Sequence, residues 1–178
     1  MEGREHARLF LGLPLPADAV AALVPWQERE LRGGRVVEPP NLHVTLAFLG
    51  STPVERVPAI AGELAAAAGA AEVPVLTVSA YRETRSVGML VLADLEERAT
   101  RLAADVHARL ERLGVYERDR RGWLPHLTVL RFRQPPRLRP ALPDLGEVSP
   151  SEAAVYLSRL RSSGAQYDIL ESVEVGGS

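Results

Sequence analysis

The chain has 178 residues, 46% of them apolar and 5% aromatic, with 21 cationic side chains against 23 acids and a net charge of −2. All 21 cations are arginine, and there is no cysteine. These absences exclude a P-loop lysine, a Schiff base and a lysyl-nucleotide intermediate, together with a disulfide framework, a thiolate metal site, an iron–sulfur cluster and a cysteine nucleophile.

A chain of this length buries roughly 70% of its unfolded surface, which suits a single domain spanning residues 1–178 with an aliphatic core. Arginine in place of lysine, alanine-rich stretches and a single asparagine, Asn41, fit a bias toward GC-rich codons. The N-terminus mixes Glu2, Arg4, Glu5 and His6, and the next apolar run is only Leu9 to Leu15. No signal peptide and no membrane span of about 20 apolar residues is expected, so a soluble cytoplasmic protein is the expectation.

In chain order, the apolar run Arg8 to Leu13 closed by Pro14 predicts a strand. Helical spacing of Val20, Leu23, Val24 and Leu31 predicts a helix from Pro16 to Leu31, broken or kinked at Pro25 and stopped by Gly33-Gly34. Pro39-Pro40 marks a turn before a buried strand, Leu42 to Leu49. The sequence Thr52-Pro53-Val54-Glu55 matches a capping box with proline at the first helical position, predicting a helix from there to about Ala71. Strands follow at Val75 to Ala80 and Val87 to Leu92. The clearest helix is Leu95 to Leu113, with Leu95, Ala99, Leu102, Val106, Leu110 and Leu113 on one stripe and Gly114 as its stop. After a polar loop from Arg118 to Gly122 come a strand from Leu124 to Phe132 and a proline-rich stretch from Gln134 to Pro143. Two strands, Ala153 to Leu160 and Gln166 to Val175, close the chain around the turn Ser162-Ser163-Gly164. The second half replays the element order of the first. Strands outnumber helices without regular βα units, which favours an α+β fold with antiparallel sheets.

Two segments repeat one pattern 83 residues apart: Leu42-His43-Val44-Thr45-Leu46 and Pro125-His126-Leu127-Thr128-Val129. In a strand, alternate side chains share a face, so each segment offers an imidazole beside a hydroxyl above an apolar underside. Half of the chain's four histidines lie in this repeat. Near neutral pH one imidazole can accept a proton while another donates one, which is what displacement at phosphorus needs. The hydroxyls of Thr45 and Thr128 can hold the non-bridging phosphoryl oxygens as charge develops on them. No metal is required when the substrate is already activated, as a strained cyclic phosphate is. A zinc site asks for three or four ligands, and neither motif histidine has a His or carboxylate partner two to four residues away. His6 is expected in a frayed terminus and His107 on a helix surface, and neither is given a chemical role. Between Glu117 and Arg139 seven arginines stand against two acids, predicting an electropositive patch beside the cleft suited to a phosphate backbone. Phe48 and Arg131 each stand five residues after a motif histidine. Strict alternation would turn both away from the histidines unless the strand ends, twists or bulges first.

At these residues the chain resembles the two-histidine phosphoesterase superfamily, and within it the RNA 2′,3′-cyclic phosphodiesterases, also called 2′-5′ RNA ligase-like proteins. The matching stretches are Arg8 to Pro14 (RLFLGLP), Asn41 to Gly50 (NLHVTLAFLG), Pro125 to Arg131 (PHLTVLR) and the final hairpin with Tyr156-Leu157-Ser158-Arg159-Leu160, in the family's order. The resemblance implies a bilobal, pseudo-symmetric α+β fold, with two antiparallel sheets forming a central cleft and helices outside. It implies hydrolysis of RNA 2′,3′-cyclic phosphate ends to 2′-phosphomonoesters without metal or nucleotide cofactor. His43 and His126 would be the catalytic pair, Thr45 and Thr128 the phosphate holders, and Phe48 and Arg131 a sandwich for the terminal base. By analogy His43 is the acid and His126 the base, an assignment that the pseudo-symmetry of the chain leaves open. The implied partner is RNA ending in a 2′,3′-cyclic phosphate, or a related nucleotide, acted on by a monomer with no protein partner inferred. Without lysine, any 2′-5′ joining must be ATP-independent reversal of the hydrolysis. Alternatives are the same chemistry on a 2′-5′ oligonucleotide or cyclic ADP-ribose phosphate, and a non-catalytic RNA-end-binding module.

Overall fold

A computed structural model describes residues 3–177. Met1, Glu2 and Ser178 of the expected single domain lie outside the described residues. The elements in order are β1 (His6–Pro14), α1 (Ala17–Glu30), β2 (Arg35–Val36), β3 (His43–Pro53), α2 (Val57–Ala70), β4 (Leu76–Glu83), β5 (Val87–Asp94), α3 (Arg98–Leu113), β6 (His126–Arg131), β7 (Glu152–Arg161) and β8 (Gly164–Glu174). The strands form two four-stranded antiparallel sheets, ordered β3-β1-β7-β8 and β2-β6-β5-β4. The expected α+β architecture is thus observed. The two halves of the chain do not own one sheet each, however. β7 and β8 return from the C-terminal end to extend the sheet begun by β1 and β3, and the short β2 crosses to edge the other.

Most elements form where periodicity places them. In α3, Ala99, Leu102, Val106 and Leu110 are buried, and the Asp94 carboxylate accepts from the Ala99 and Thr100 N–H groups at 3.0 and 2.8 Å, satisfying two donors of the first turn. Helix α1 does not break at Pro25. Pro25 and Ala21, whose carbonyl loses its intrahelical donor there, both lie on the exposed side, where water replaces the lost bond. The capping-box expectation fails. β3 extends to Pro53, where Thr52 is buried, pairs with Ala7 of β1 and donates its hydroxyl to the Gly50 carbonyl at 3.1 Å. Sheet pairing thus takes the residues that would have opened the helix, and α2 starts only after a 3-10 turn at Val54–Arg56. His6, expected to fray, is instead the first residue of β1 and pairs with Pro53.

The core is one aliphatic cluster between the sheets and helices, including Leu11, Leu23, Val44, Leu64, Leu102 and Val129. α2 packs on β7, β8 and α3, while α3 also packs on β3. A second, aromatic cluster of Phe10, Ala154 and Tyr156, with Tyr167 against it, lies apart from that core. Among the described residues no helix is long and apolar enough to cross a membrane.

Candidate active site

The two histidine-bearing strands lie beside each other, β3 against β6, where the two sheets meet. Their first six residues share one burial pattern: His43 and His126 half-buried, Val44 and Leu127 buried, Thr45 and Thr128 half-buried, then two buried residues and an exposed one. The two consecutive buried residues mark a bulge in each strand. Opposite β1, Leu11 pairs with Ala47 and Gly12 with Thr45, so Leu46 is the extra residue. Opposite β5, Gly88 pairs with Leu130 and Met89 with Thr128, so Val129 is the extra residue. An inserted residue shifts the alternation by one. Phe48 and Arg131 therefore come back to the face of His43 and His126.

Each imidazole is anchored in the same way. The Nδ1–H of His43 donates to the Asn41 carbonyl at 2.7 Å and that of His126 to the Leu124 carbonyl at 2.8 Å. A carbonyl only accepts, so Nδ1 carries the proton in both rings and Nε2 is left for chemistry. In neutral His43, Nε2 accepts the Thr45 hydroxyl at 2.9 Å. Burial lowers the pKa of His43 to about 4, and the nearby charges of Arg131 and His126 act in the same direction against the raising effect of the Asn41 bond. The ring is uncharged at neutral pH.

Four of the nine aromatic residues gather around His43. Phe10 lies 4.7 Å from it between ring centroids, Tyr156 5.3 Å and Tyr167 5.5 Å, and Phe48 is 5.8 Å from Phe10. Phe10 and Tyr156 stack at 4.6 Å and are buried, whereas Phe48 is 69% exposed, with a ring face free for a ligand. Gly12 of β1 lies under the His43 ring. A Cβ there would come within 3.1 Å of His43 Cδ2 and 3.0 Å of the Val44 carbonyl oxygen, so a larger residue would press on the imidazole from below. Across the cleft the Arg131 guanidinium donates to the Tyr167 hydroxyl at 3.1 Å.

Sequence reasoning missed the residues that hold this geometry. The Trp123 indole N–H, just after the polar loop, donates to the Thr45 carbonyl at 3.0 Å and ties the approach to β6 onto β3. His107 is not a surface residue. It is 7% exposed, packs against Tyr116, and donates Nε2–H to the Leu46 carbonyl at 2.7 Å. Gln27, buried on α1, donates to the Val37 and Val129 carbonyls, each at 3.1 Å. None belongs to a local motif. For Gln27 and His107 the only sequence signal was a polar residue bordering the apolar stripe of a helix. The arginine cluster divides: Arg118 pairs with Glu111 and Arg121 with Asp119, while Arg131 and Arg133 face the cleft side. Among the described residues no three His, Asp or Glu side chains converge as a metal-binding group.

Known proteins resemble this chain in sequence and fold. A family model for LigT-like phosphoesterases matches residues 13–91. An RNA 2′,3′-cyclic phosphodiesterase of Thermus thermophilus is 35% identical, aligned over 96% of this chain and 91% of that protein. A crystal structure of a Thermus thermophilus protein superposes with a TM-score of 0.79 at 31% identity, covering 96% of this chain and 98% of the other. Escherichia coli LigT complexed with 3′-AMP superposes with a TM-score of 0.78 at 26% identity, covering 96% and 99%.

Proposed function

Because this chain belongs to the LigT-like phosphoesterase family, we propose that it is an RNA 2′,3′-cyclic phosphodiesterase that uses His43 and His126 as a paired acid and base. The observation that carries the reading is the twin anchoring of the two imidazoles, which leaves an unprotonated Nε2 on each of two adjoining strands, that of His43 bonded to the Thr45 hydroxyl. A water attacks phosphorus in line with the P–O3′ bond. One imidazole takes the water proton, the P–O3′ bond breaks, and the other imidazole protonates the departing O3′. The product is a 2′-phosphomonoester with a free 3′-hydroxyl. Thr45 and Thr128 hold the non-bridging oxygens, and neither the ring strain nor this proton traffic calls for a metal. His43 acts as the acid by gaining its proton with the anionic substrate, whose charge opposes the burial and the Arg131 charge that hold the ring neutral. Phe48 and Arg131, returned to the cleft face by the bulges, sandwich the terminal base. Crystallised E. coli LigT holds 3′-AMP, which supports a nucleotide-bearing substrate.

The test is an oligonucleotide ending in 2′,3′-cyclic phosphate incubated with the protein in EDTA. A 2′-phosphate product is expected, and His43→Ala and His126→Ala should each lower the rate at least ~100-fold with the fold intact. A 3′-phosphate product, a strict need for added metal, or either variant near the wild-type rate overturns the assignment.

A further inference from the structure

A groove of about 910 Å³ opens beside the histidines, on the Arg131 side. Three residues are common to groove and active site: Asn41, whose carbonyl anchors His43, Arg131, and Tyr167. Beyond them the groove is lined by Arg35 and Arg133, with Glu38 as its one acid. None of Arg35, Arg131 and Arg133 is in an ion pair among the described residues. The wall is closely built. A Cβ on Gly34 would strike the Arg131 carbonyl oxygen, Arg35 is bonded to the Ser163 carbonyl in the β7–β8 turn, and the Asn41 amide donates to Ala165 at 3.0 Å. A volume in the upper part of the range for small-molecule sites far exceeds what one phosphate needs. Unpaired guanidinium groups along such a wall suit phosphodiester oxygens.

We propose that this groove binds the nucleotide preceding the cyclic-phosphate end, with Arg35 and Arg133 on its phosphodiester, so that the preferred substrate is a polynucleotide end rather than a mononucleotide. The inference rests on the cyclic-phosphodiesterase reading above. The experiment compares uridine 2′,3′-cyclic phosphate with a trinucleotide ending in the same group. The trinucleotide should have a kcat/KM at least about tenfold higher, expressed mainly in KM and shrinking as salt rises. Arg133→Ala should remove most of that advantage and leave turnover of the mononucleotide unchanged. Equal kcat/KM for the two substrates in the wild type overturns the proposal, as does an advantage that survives both Arg133→Ala and Arg35→Ala. Failure to hydrolyse either substrate instead sinks the underlying activity.

Independently of the groove, Gln27 and His107 hold equivalent places. Among the described residues only three polar side chains are buried, and these two each donate to the carbonyl of a bulge residue, Val129 in β6 and Leu46 in β3. Each bulge is what turns the base-facing residue, Arg131 or Phe48, into the cleft. We infer that Gln27 and His107 are positioning residues that set the two bulges and thereby the base sandwich. His107→Leu or Gln27→Leu should weaken binding of adenosine 2′-phosphate about tenfold while binding of inorganic phosphate stays within about twofold, because stacking is lost and the phosphate contacts are not. His107→Gln, which restores a donor, should recover affinity. His107→Asn, too short to reach Leu46, should share the selective loss and serves if the leucine variant does not fold. Parallel loss of both ligands, or no loss in a folded variant, overturns the inference.

Discussion

His43 occupies a place where a positive charge is costly, enclosed by Phe10, Tyr156 and Tyr167 and facing Arg131 and His126. Its folded-state pKa of about 4 lies below the ordinary imidazole value, so the unfolded chain binds the extra proton first as pH falls. Stability therefore declines as pH drops from about 6.5 toward 4, by at most about 3 kcal/mol from this residue. Urea unfolding at pH 7, 5.5 and 4.5 should show a shallower acid loss for His43→Gln than for the wild type; identical slopes would mean that the ring is not held neutral. Sequence made this histidine legible because its motif occurs twice in a chain with few histidines. His107 and Gln27 were illegible, because their significance lies in a carbonyl on a distant strand.

At the scale of elements, sequence patterning located the longer strands and helices but not the short edge strand β2, and local motifs misplaced some of their ends. The Thr52–Glu55 signal was real as sequence, but pairing of Thr52 with Ala7 outweighed one cap. Pro25 shows the converse. The helix persists because the buried Leu23, Trp26 and Gln27 hold it on both sides of the proline. Pro25→Ala should thus raise stability by roughly 1–3 kcal/mol, read as an increase in Tm, since it returns a hydrogen bond to an exposed turn. An unchanged or lower Tm would show that the helix is strained elsewhere. The bulges at Leu46 and Val129 are the decisive local features. An apolar doublet such as Leu46-Ala47 looks the same in sequence whether a strand bulges or simply ends.

In the whole molecule the cleft is assembled from pieces far apart in the chain. Asn41 meets Ala165, Arg35 meets Ser163, Trp123 meets Thr45 and Arg131 meets Tyr167, each pair joining segments at least 36 residues apart. The interleaved sheets make these meetings possible, because β7–β8 crosses back to the sheet that carries His43. The basic segment around His126 reads as one patch in sequence. In space it is sorted by partners, Arg118 tied to Glu111 of α3, Arg121 to Asp119 of its own loop, and Arg131 and Arg133 left toward cleft and groove. By itself the sequence determined the chemistry on offer and the antiparallel α+β class: two imidazoles, two hydroxyls, no lysine and no thiol, since residue type and alternation are local properties. Only the tertiary structure decided which way Phe48 and Arg131 face, which histidine is held neutral and where the groove lies, because these depend on bulge register, burial and contacts between segments that never meet along the chain.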